Sequence, residues 1–329
     1  MCTSGTLVCM GELLVDFSAT TTDEAGRVLY TRNPGGAPAN VAAAASKLGL
    51  SVMFIGKVGA DALGTLARDA LAATGVNVDH VIADRYTSTT LAFVDIDPMT
   101  AERSFSFSRK PGADTQLRPE DISTELATGC RALHVGSVSL SAEPVRSATF
   151  ALVDAAQEAG RLISFDPNYR ASLWPSKESA KDEIKRMMSR AQIVKLSLEE
   201  AQMLVGSGED LQELAYAILA MGPHFVAITL GNEGAFLSTR TSSSHVDSFT
   251  VHALDTTGAG DVFWGATLAW LLGVHEVRTV DDLDILSDSD LRSCGRYACA
   301  AASVSVERMG GMLSAPTARE VAERLVAEA

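Results

Sequence analysis

The sequence has few of the residues that build cross-linked or metal-clustered proteins. Its 329 residues include only five cysteines and six histidines. The cysteines are scattered and form no Cys-x-x-Cys pair, so neither a disulfide framework nor a structural zinc site is indicated. We therefore interpret the cysteines as reduced thiols.

Long hydrophobic runs are also missing. The longest nearly uninterrupted apolar stretch, residues 262–274, has 13 residues, whereas a membrane-spanning helix needs about 20. The N-terminus lacks the basic start of a signal or transit peptide. We expect a cytoplasmic protein with no membrane partner.

Positive charge is scarce. The chain has 27 Lys and Arg against 41 Asp and Glu, which gives a formal net charge of -14. Such a surface repels nucleic acid phosphates, so we expect no nucleic-acid partner. An anionic substrate must then be held locally, by helix N-termini, a few arginines or a divalent cation. No Gly-x-x-x-x-Gly-Lys-Ser/Thr sequence occurs, which excludes a Walker-type nucleotide site.

What the chain does contain is a strand and helix alternation. At 47% hydrophobic residues it can bury a substantial core. From residue 132 onward, short apolar strands alternate with helical patterns, which predicts a parallel sheet covered on both faces. Residues 89–97 and 103–109 instead alternate as a hairpin joined by a turn at 97–100. With residues 18–33, this hairpin predicts a small accessory sheet that acts as a lid and keeps water from a reactive group.

The stretch from residue 251 to 273 organises the rest. An apolar run ends at Asp255, a Thr-Thr-Gly-Ala-Gly turn follows, and apolar residues then recur at helical spacing. Gly258 and Gly260 allow close backbone approach, and the amides of the first helical turn favour a phosphate. Asp261 places a carboxylate in that turn, where it can take a proton from an attacking hydroxyl. Alternatively, Asp261 only complements the helix dipole, but a simple cap does not need the whole series.

A second Gly-rich turn precedes an alanine-rich helix at residues 33–49. Asn40 in its first turn can donate to and accept from a sugar hydroxyl. Alternatively, Asn40 only caps the helix. Asp16 follows an apolar run, where open α/β sheets place ligand contacts. It can equally be a turn carboxylate, and the local sequence does not decide between the two.

Residues 255–261 and 35–49 together resemble the two signatures of the ribokinase-like (PfkB) carbohydrate kinases. Gly-Glu-Leu-Leu-Val-Asp-Phe at 11–17 and Asp-Pro-Asn-Tyr-Arg at 166–170 are similar to the fructokinase branch of that family. The resemblance implies a three-layer α/β/α fold with a mostly parallel central sheet and a small β-sheet lid. Its α/β core would comprise residues 1–17, 34–88 and 112–329, with the lid inserted at 18–33 and 89–111.

The resemblance also implies an activity and a site. The implied activity is transfer of the ATP γ-phosphate to the 6-hydroxyl of D-fructose. The implied cofactors are Mg2+ and, at a monovalent-cation loop, K+. A homodimer formed through the lid is one oligomeric state that the resemblance allows. The implied catalytic residues are Asp261 as base and the amides of Gly258, Ala259 and Gly260 as anion hole. The implied substrate contacts are Asp16, Gly35, Gly36, Asn40, Phe107, Arg109 and Arg170; the nucleotide contacts are Lys195, Ser197, Thr229, Gly231 and Gly234; the metal-site residues are Glu200, Asp255, Thr257, Gly310 and Ser314.

The sequence does not exclude other sugar substrates or a protein that is not an enzyme. Arg109 and Arg170 could pair with the carboxylate of 2-keto-3-deoxygluconate, and ribose is a further alternative. Phe107 offers no hydroxyl to an acid sugar, which favours a neutral ketose. A catalytically inactive, regulatory kinase-like protein should have lost its base or anion hole, whereas Asp261, Gly258 and Gly260 are all present.

Overall fold

The computed structural model describes residues 7–96, 103–206, 208 and 210–327. The predicted turn at 97–100 lies outside these residues. None of the helices in the described ranges combines the length and hydropathy needed to cross a membrane.

Most strands of the central sheet follow apolar runs of the sequence. In chain order the strands are β1 (Leu7–Met10), β2 (Leu14–Thr22), β3 (Val28–Gly35), β4 (Val52–Gly59), β5 (Asn77–Asp84), β6 (Leu91–Ile96), β7 (Arg103–Ser108), β8 (Ala132–Gly136), β9 (Leu162–Asp166), β10 (Ile193–Ser197), β11 (Phe225–Thr229), β12 (Ala235–Thr239) and β13 (Ser243–Val246).

The helices lie mainly between these strands. They are α1 (Ala37–Lys47), α2 (Ala62–Ala72), α3 (Glu125–Gly129), α4 (Val145–Glu158), α5 (Lys177–Met188), α6 (Leu198–Val205), α7 (Leu211–Leu219), α8 (Ala259–Ala269), α9 (Val280–Asp284), α10 (Asp288–Val306), α11 (Gly311–Ser314) and α12 (Ala318–Ala327). A π-helical turn at Trp270–Val274 extends α8.

Nine of the described strands form the central sheet, in the order β13-β12-β11-β10-β9-β8-β1-β4-β5. Neighbours from β11 to β5 pair in parallel, while β12 and β13 add an antiparallel edge. Strands β1, β8 and β9 are buried throughout, because helices cover both faces of a parallel sheet. Two hydrophobic clusters occupy the two sides. The predicted α/β/α fold class is confirmed.

A separate four-stranded sheet has the order β3-β2-β6-β7. Strands β2 and β6 pair in parallel, and β3 and β7 flank them in antiparallel pairing. The ring of Phe93 stacks on Phe17 with centroids 5.5 Å apart and meets Tyr30 edge-on at 6.1 Å. The strands of this sheet reach residues 14 and 35, further than the 18–33 segment expected for the lid.

Strand β5 of the central sheet is not predicted from the sequence. β5 lies at the sheet edge, and in its eight residues only Val81 is buried. A half-exposed edge strand needs no apolar run, so its sequence carries no strong hydrophobic signal.

Candidate active site

Close packing of two small-residue helices creates the centre of the site. A Cβ atom added at Gly265 of α8 would lie 2.6 Å from Ala44 Cβ and 2.8 Å from the carbonyl oxygen of Val41, both on α1. Glycine at 265 therefore allows the two helices to touch. As a result, Asn40 in the first turn of α1 donates through Nδ2 to Asp261 Oδ2 at 2.7 Å.

Asp261 lies at the N-terminus of α8 and is only 6% exposed. The preceding Gly258 has φ +78°, a left-handed conformation that glycine adopts readily. The amide of Ala259 donates to the carbonyl of Thr256 at 3.3 Å. The first helical turn thus presents its positive end beside the carboxylate.

The Asp261 carboxylate is held on both oxygens. Asn168 Nδ2 donates to Oδ1 at 3.0 Å, opposite the Asn40 contact. Burial, with the nearby Asp166 charge, raises the pKa of Asp261 to about 6, although the Asn40 hydrogen bond, Lys195 and Arg170 oppose the rise. The carboxylate is therefore ionised near neutral pH but more basic than an ordinary aspartate.

A cavity of about 170 Å³ opens in front of Asp261. It is smaller than the roughly 300–1,000 Å³ of pockets that hold drug-sized ligands, which suits a small polar molecule. Its lining includes Asp16, Gly36, Asn40, Phe107, Asn168, Arg170, Gly258 and Asp261, together with Glu12, Leu14, Ala37, Val138, Thr256 and Thr257.

Within this small cavity, Asp16 comes from strand β2. Burial is the main cause that raises the pKa of Asp16 to about 7, with Arg170 opposing it and the charges of Asp261 and Asp255 adding to it. A Cβ at Gly35 would lie 2.4 Å from Asp16 Oδ2. Gly35 therefore lets β3 pass close to this carboxylate rather than lining the cavity itself.

A larger cavity of about 520 Å³ lies on the other side of the α8 N-terminus. Thr256, Ala259 and Gly260 line it, together with the predicted nucleotide residues Thr229, Gly231 and Gly234. Its apolar walls come from Phe249, Val251, Phe263, Cys299, Ala302 and Val306. Thr256 lines both the small and the large cavity, so the two meet at the glycine turn.

A third cavity of about 530 Å³ is lined mostly by polar residues, which include Lys195, Ser197 and Glu200, and we call it the polar cavity. It lies next to the turn, because a Cβ at Gly260 would lie 3.4 Å from Lys195 Nζ. Lys195 Nζ lies 2.7 Å from Asp166 Oδ2, an ion pair with both side chains almost fully buried. Glu200 accepts the backbone amides of Tyr169 at 2.6 Å and Ser197 at 2.8 Å. Burial, followed by the Asp166 charge, raises the pKa of Glu200.

No cluster of three or more His, Cys, Asp or Glu side chains suited to a metal occurs within the described ranges. Glu200 is therefore not part of such a cluster, and a metal here would draw most of its oxygen ligands from phosphates and water, as Mg2+ commonly does. The donor set fits that role.

The predicted monovalent-cation residues lie beside the glycine turn. Asp255 accepts the amides of Thr257 at 2.9 Å and Gly310 at 3.1 Å, which ties two loops together. Ser314 is buried and donates to the carbonyl of Gly311. Gly311 Cα would lie 3.1 Å from a Cβ at Gly258, so these loops contact the turn itself.

Arg109 is held by three partners next to the lid strands. Its guanidinium donates to Asp114 at 2.6 Å, to Ser141 at 2.9 Å and to the carbonyl of Val138 at 3.2 Å. The side chain is 6% exposed and is not part of the small cavity's lining. The buried Asp114 carboxylate holds the guanidinium at the base of the lid, and a contact of Arg109 with the substrate stays a prediction.

Sequence reasoning missed three residues around the site. Asn168 and Glu12 line the small cavity, and Asp166 pairs with Lys195. The Asp-Pro-Asn-Tyr-Arg sequence at 166–170 predicts a role for Arg170 alone. The asparagine in this turn was the available sequence signal for Asn168, because Asn is one of the few residues that tolerate a positive φ. Asn168 has φ +43°.

These cavities and the glycine turn between them, on a mostly parallel α/β/α fold with a separate small sheet, define a ribokinase-like carbohydrate kinase. The family model described as "pfkB family carbohydrate kinase" matches residues 4–318. The chain belongs to this family.

Individual fructokinases match nearly the whole chain. A probable fructokinase-4 of Arabidopsis thaliana is 38% identical over 321 residues, covering 96% of this chain and 95% of the relative. A fructokinase with bound ATP from Xylella fastidiosa has a TM-score of 0.89 at 30% identity, covering 99% of each chain. A fructokinase from Vibrio cholerae O395, solved with fructose, ADP and calcium, has a TM-score of 0.84 at 30% identity, covering 98% of this chain and 99% of that one.

Proposed function

We propose that this protein is an ATP-dependent fructokinase that transfers the ATP γ-phosphate to the 6-hydroxyl of D-fructose. The observation that carries the proposal is the place of Asp261. Its carboxylate lies in the first turn of α8, facing a sugar-sized cavity, while a nucleotide-sized cavity meets the same turn from the other side. The fructokinase relatives, with ATP, ADP and fructose in their solved structures, support the same activity.

The mechanism follows from this placement. Asp16, Asn40 and the backbone at Gly36 would hold the sugar hydroxyls, with Phe107 and Arg170 closing the cavity. The side-chain oxygen Oδ1 of Asn40 is buried with no hydrogen-bond partner among the described residues. Because an unpaired buried acceptor is costly, we expect a sugar hydroxyl to donate to it.

Asp261 then acts as general base. As the hydroxyl oxygen bonds to the γ-phosphorus, the bond from phosphorus to the ADP oxygen breaks and the hydroxyl proton passes to the carboxylate. The amides of Gly258 and Gly260 would stabilise the charge on the transferring phosphoryl group, with that of Ala259 shared with Thr256.

Nucleotide and metal would lie on the far side of the turn. Thr229, Gly231 and Gly234 would line the nucleotide, and Lys195 and Ser197 would lie near its phosphates. Mg2+, which neutralises phosphate charge when bound, would be held through Glu200. For the monovalent-cation loop, we propose K+ at Asp255, Thr257, Gly310 and Ser314, so that activity in potassium should exceed activity in a large organic cation such as choline.

Three further properties belong to the proposal. The division into a core and a lid at 18–33 and 89–111 is supported by the separate small sheet, whose strands extend beyond the first lid segment to residues 14 and 35. Val28 and Tyr30 of that sheet are 53% and 42% exposed and share one face of strand β3, an apolar surface that a second copy of the lid would cover in a homodimer. A cytoplasmic location fits the free thiols of Cys9, Cys130, Cys294 and Cys299.

The test is an ADP-release assay on the purified protein with D-fructose, D-ribose and 2-keto-3-deoxygluconate. We expect kcat/KM to be highest for fructose. A higher value for 2-keto-3-deoxygluconate would assign Arg170 to its carboxylate and reject fructose as substrate. ATP binding without turnover of any sugar would instead support the alternative that this chain is a catalytically inactive, regulatory kinase-like protein.

A further inference from the structure

We propose that Asn168 is a positioning residue for Asp261. Its side-chain amide holds one carboxylate oxygen while Asn40 holds the other, so that the carboxylate plane faces the sugar cavity. This inference rests on the proposed role of Asp261 as the base.

The geometry of the Asn168 turn supports the assignment. Asn168 Nδ2 lies 3.0 Å from Asp261 Oδ1. Asn168 has φ +43°, and such backbone conformations persist only where the surroundings fix them, often at functional sites. Two contacts fix this backbone conformation. The backbone amide of Asn168 donates to Asp166 Oδ1 at 3.1 Å, and Asp166 Oδ2 in turn pairs with Lys195 Nζ at 2.7 Å.

The location of Asn168 is consistent with this role. It lines both the small cavity and the polar cavity beside it, so it lies at the wall between sugar and phosphates. A carboxylate oxygen has about two lone-pair sites. One amide donor on each oxygen therefore fixes the orientation of the carboxylate and still leaves capacity to accept the proton of a sugar hydroxyl.

The amide also affects the basicity of Asp261. A donor to the ionised form favours that form and lowers the pKa of a buried carboxylate. The charged groups that act on Asp261 from the surrounding elements are Asp16, Asp166, Lys195 and Arg170. A change confined to the Asn168 side chain leaves all four in place, so a shift in the acid side of the rate profile reports the lost amide.

The main test compares Asn168→Gly with the wild-type enzyme. Glycine adopts the same positive φ without strain and removes only the side chain. We expect kcat to fall about tenfold or more, part of the ~10²–10⁴-fold effect of a positioned base. KM for fructose should change by less than about threefold, because the binding residues remain, and the acid limb of kcat should move to higher pH.

A second variant and a control complete the design. Asn168→Asp keeps the size and the tolerance of positive φ but adds a negative charge against Asp261, so the acid limb should move further up. Asn77 makes a similar amide-to-carboxylate contact, to Asp79 at 3.2 Å, on the exposed edge strand. Asn77→Gly should leave rate and pH profile unchanged.

The outcomes separate this inference from the function on which it rests. Wild-type kcat and acid limb in both Asn168 variants would overturn it, and so would a raised KM for fructose with an unmoved acid limb, which would make Asn168 a sugar ligand. If the wild type phosphorylates no sugar, or Asp261→Asn keeps more than about a tenth of the wild-type rate, the base assignment itself fails.

Discussion

Replacing Asp261 by Asn should separate activity from stability. The substitution keeps the shape of the side chain but removes the proton acceptor. A positioned base contributes about 10²–10⁴-fold, so kcat should fall at least a hundredfold, measured by ADP release at saturating fructose and ATP. A variant that retains more than about a tenth of the wild-type rate would show that Asp261 is not the base.

The same variant should not melt earlier than the wild type. The pKa of Asp261 is raised from 3.8 to about 6, which at about 1.4 kcal/mol per tenfold change in acidity costs the folded state on the order of 3 kcal/mol at pH 8. Asn at 261 removes this cost. The new side-chain NH2 group, however, faces the NH2 group of Asn40 or Asn168, so one hydrogen bond is lost, which costs about 1–3 kcal/mol. The loss therefore offsets the gain at most.

The pH dependence of this stability has a defined sign. A carboxyl whose pKa is higher in the folded state destabilises the protein above that pKa, and the cost disappears as pH falls through 6 towards 3.8. The melting temperature of Asp261→Asn relative to wild type should therefore be higher at pH 8 than at pH 5. A variant that melts far below wild type at pH 8 would refute the reasoning, because the carboxylate would then be a stabilising group.

Three other expectations concern the same site. The wild-type kcat should decline as pH falls through about 6, since protonation of Asp261 removes the base; a rate that is flat down to pH 4.5 would contradict this. Glu200→Gln should lower activity roughly 10–100-fold at limiting Mg2+, and excess Mg2+ should restore part of it. Glu200 also belongs to the capping box of α6, so Asp290→Asn, in the capping box of α10, serves as the control and should not lower activity; equal losses in both would point to helix capping alone. Gly265→Ala should destabilise the protein by about 1–3 kcal/mol in urea titrations through overpacking, and Gly129→Ala, which meets no atom within 4 Å, should be neutral; a neutral Gly265→Ala would contradict close contact of α1 and α8.

The sequence predicted the architecture because its signals are local. Strands β9, β10 and β11 are apolar runs bounded by polar turns, and their carboxyl ends carry Asp166, Ser197 and Thr229. In an open parallel sheet these ends share one edge, so the sequence alone places nucleotide residues near one another. The glycine turn at 258–260 is equally local. The edge strand β5 had no comparable pattern and was missed.

The parts that sequence did not give are those that depend on distant partners. Arg109 follows a lid strand. Asp114 is only five residues away, but Ser141 and Val138 are 32 and 29 residues away, so the local sequence does not show that the three together occupy the donors of Arg109. The contact of Asn168 with Asp261 spans 93 residues. A single sequence contains no information on which amide meets which carboxylate over such a separation, so these assignments required the three-dimensional arrangement.

The alanine-rich and glycine-containing helices then acquire a chemical reason. A base at a buried helix end works only if its donors are held within hydrogen-bond distance, here 2.7 Å for Asn40. Asn40 and Asp261 lie on different helices, so their distance depends on how closely α1 and α8 pack. Small side chains at Ala44 and Gly265 set that closeness. Larger residues would move the helices apart by an ångström or more, and misplacement of that size can cost about 10²-fold in rate. The small-residue composition of these helices is therefore a requirement of the catalytic geometry as well as of the core.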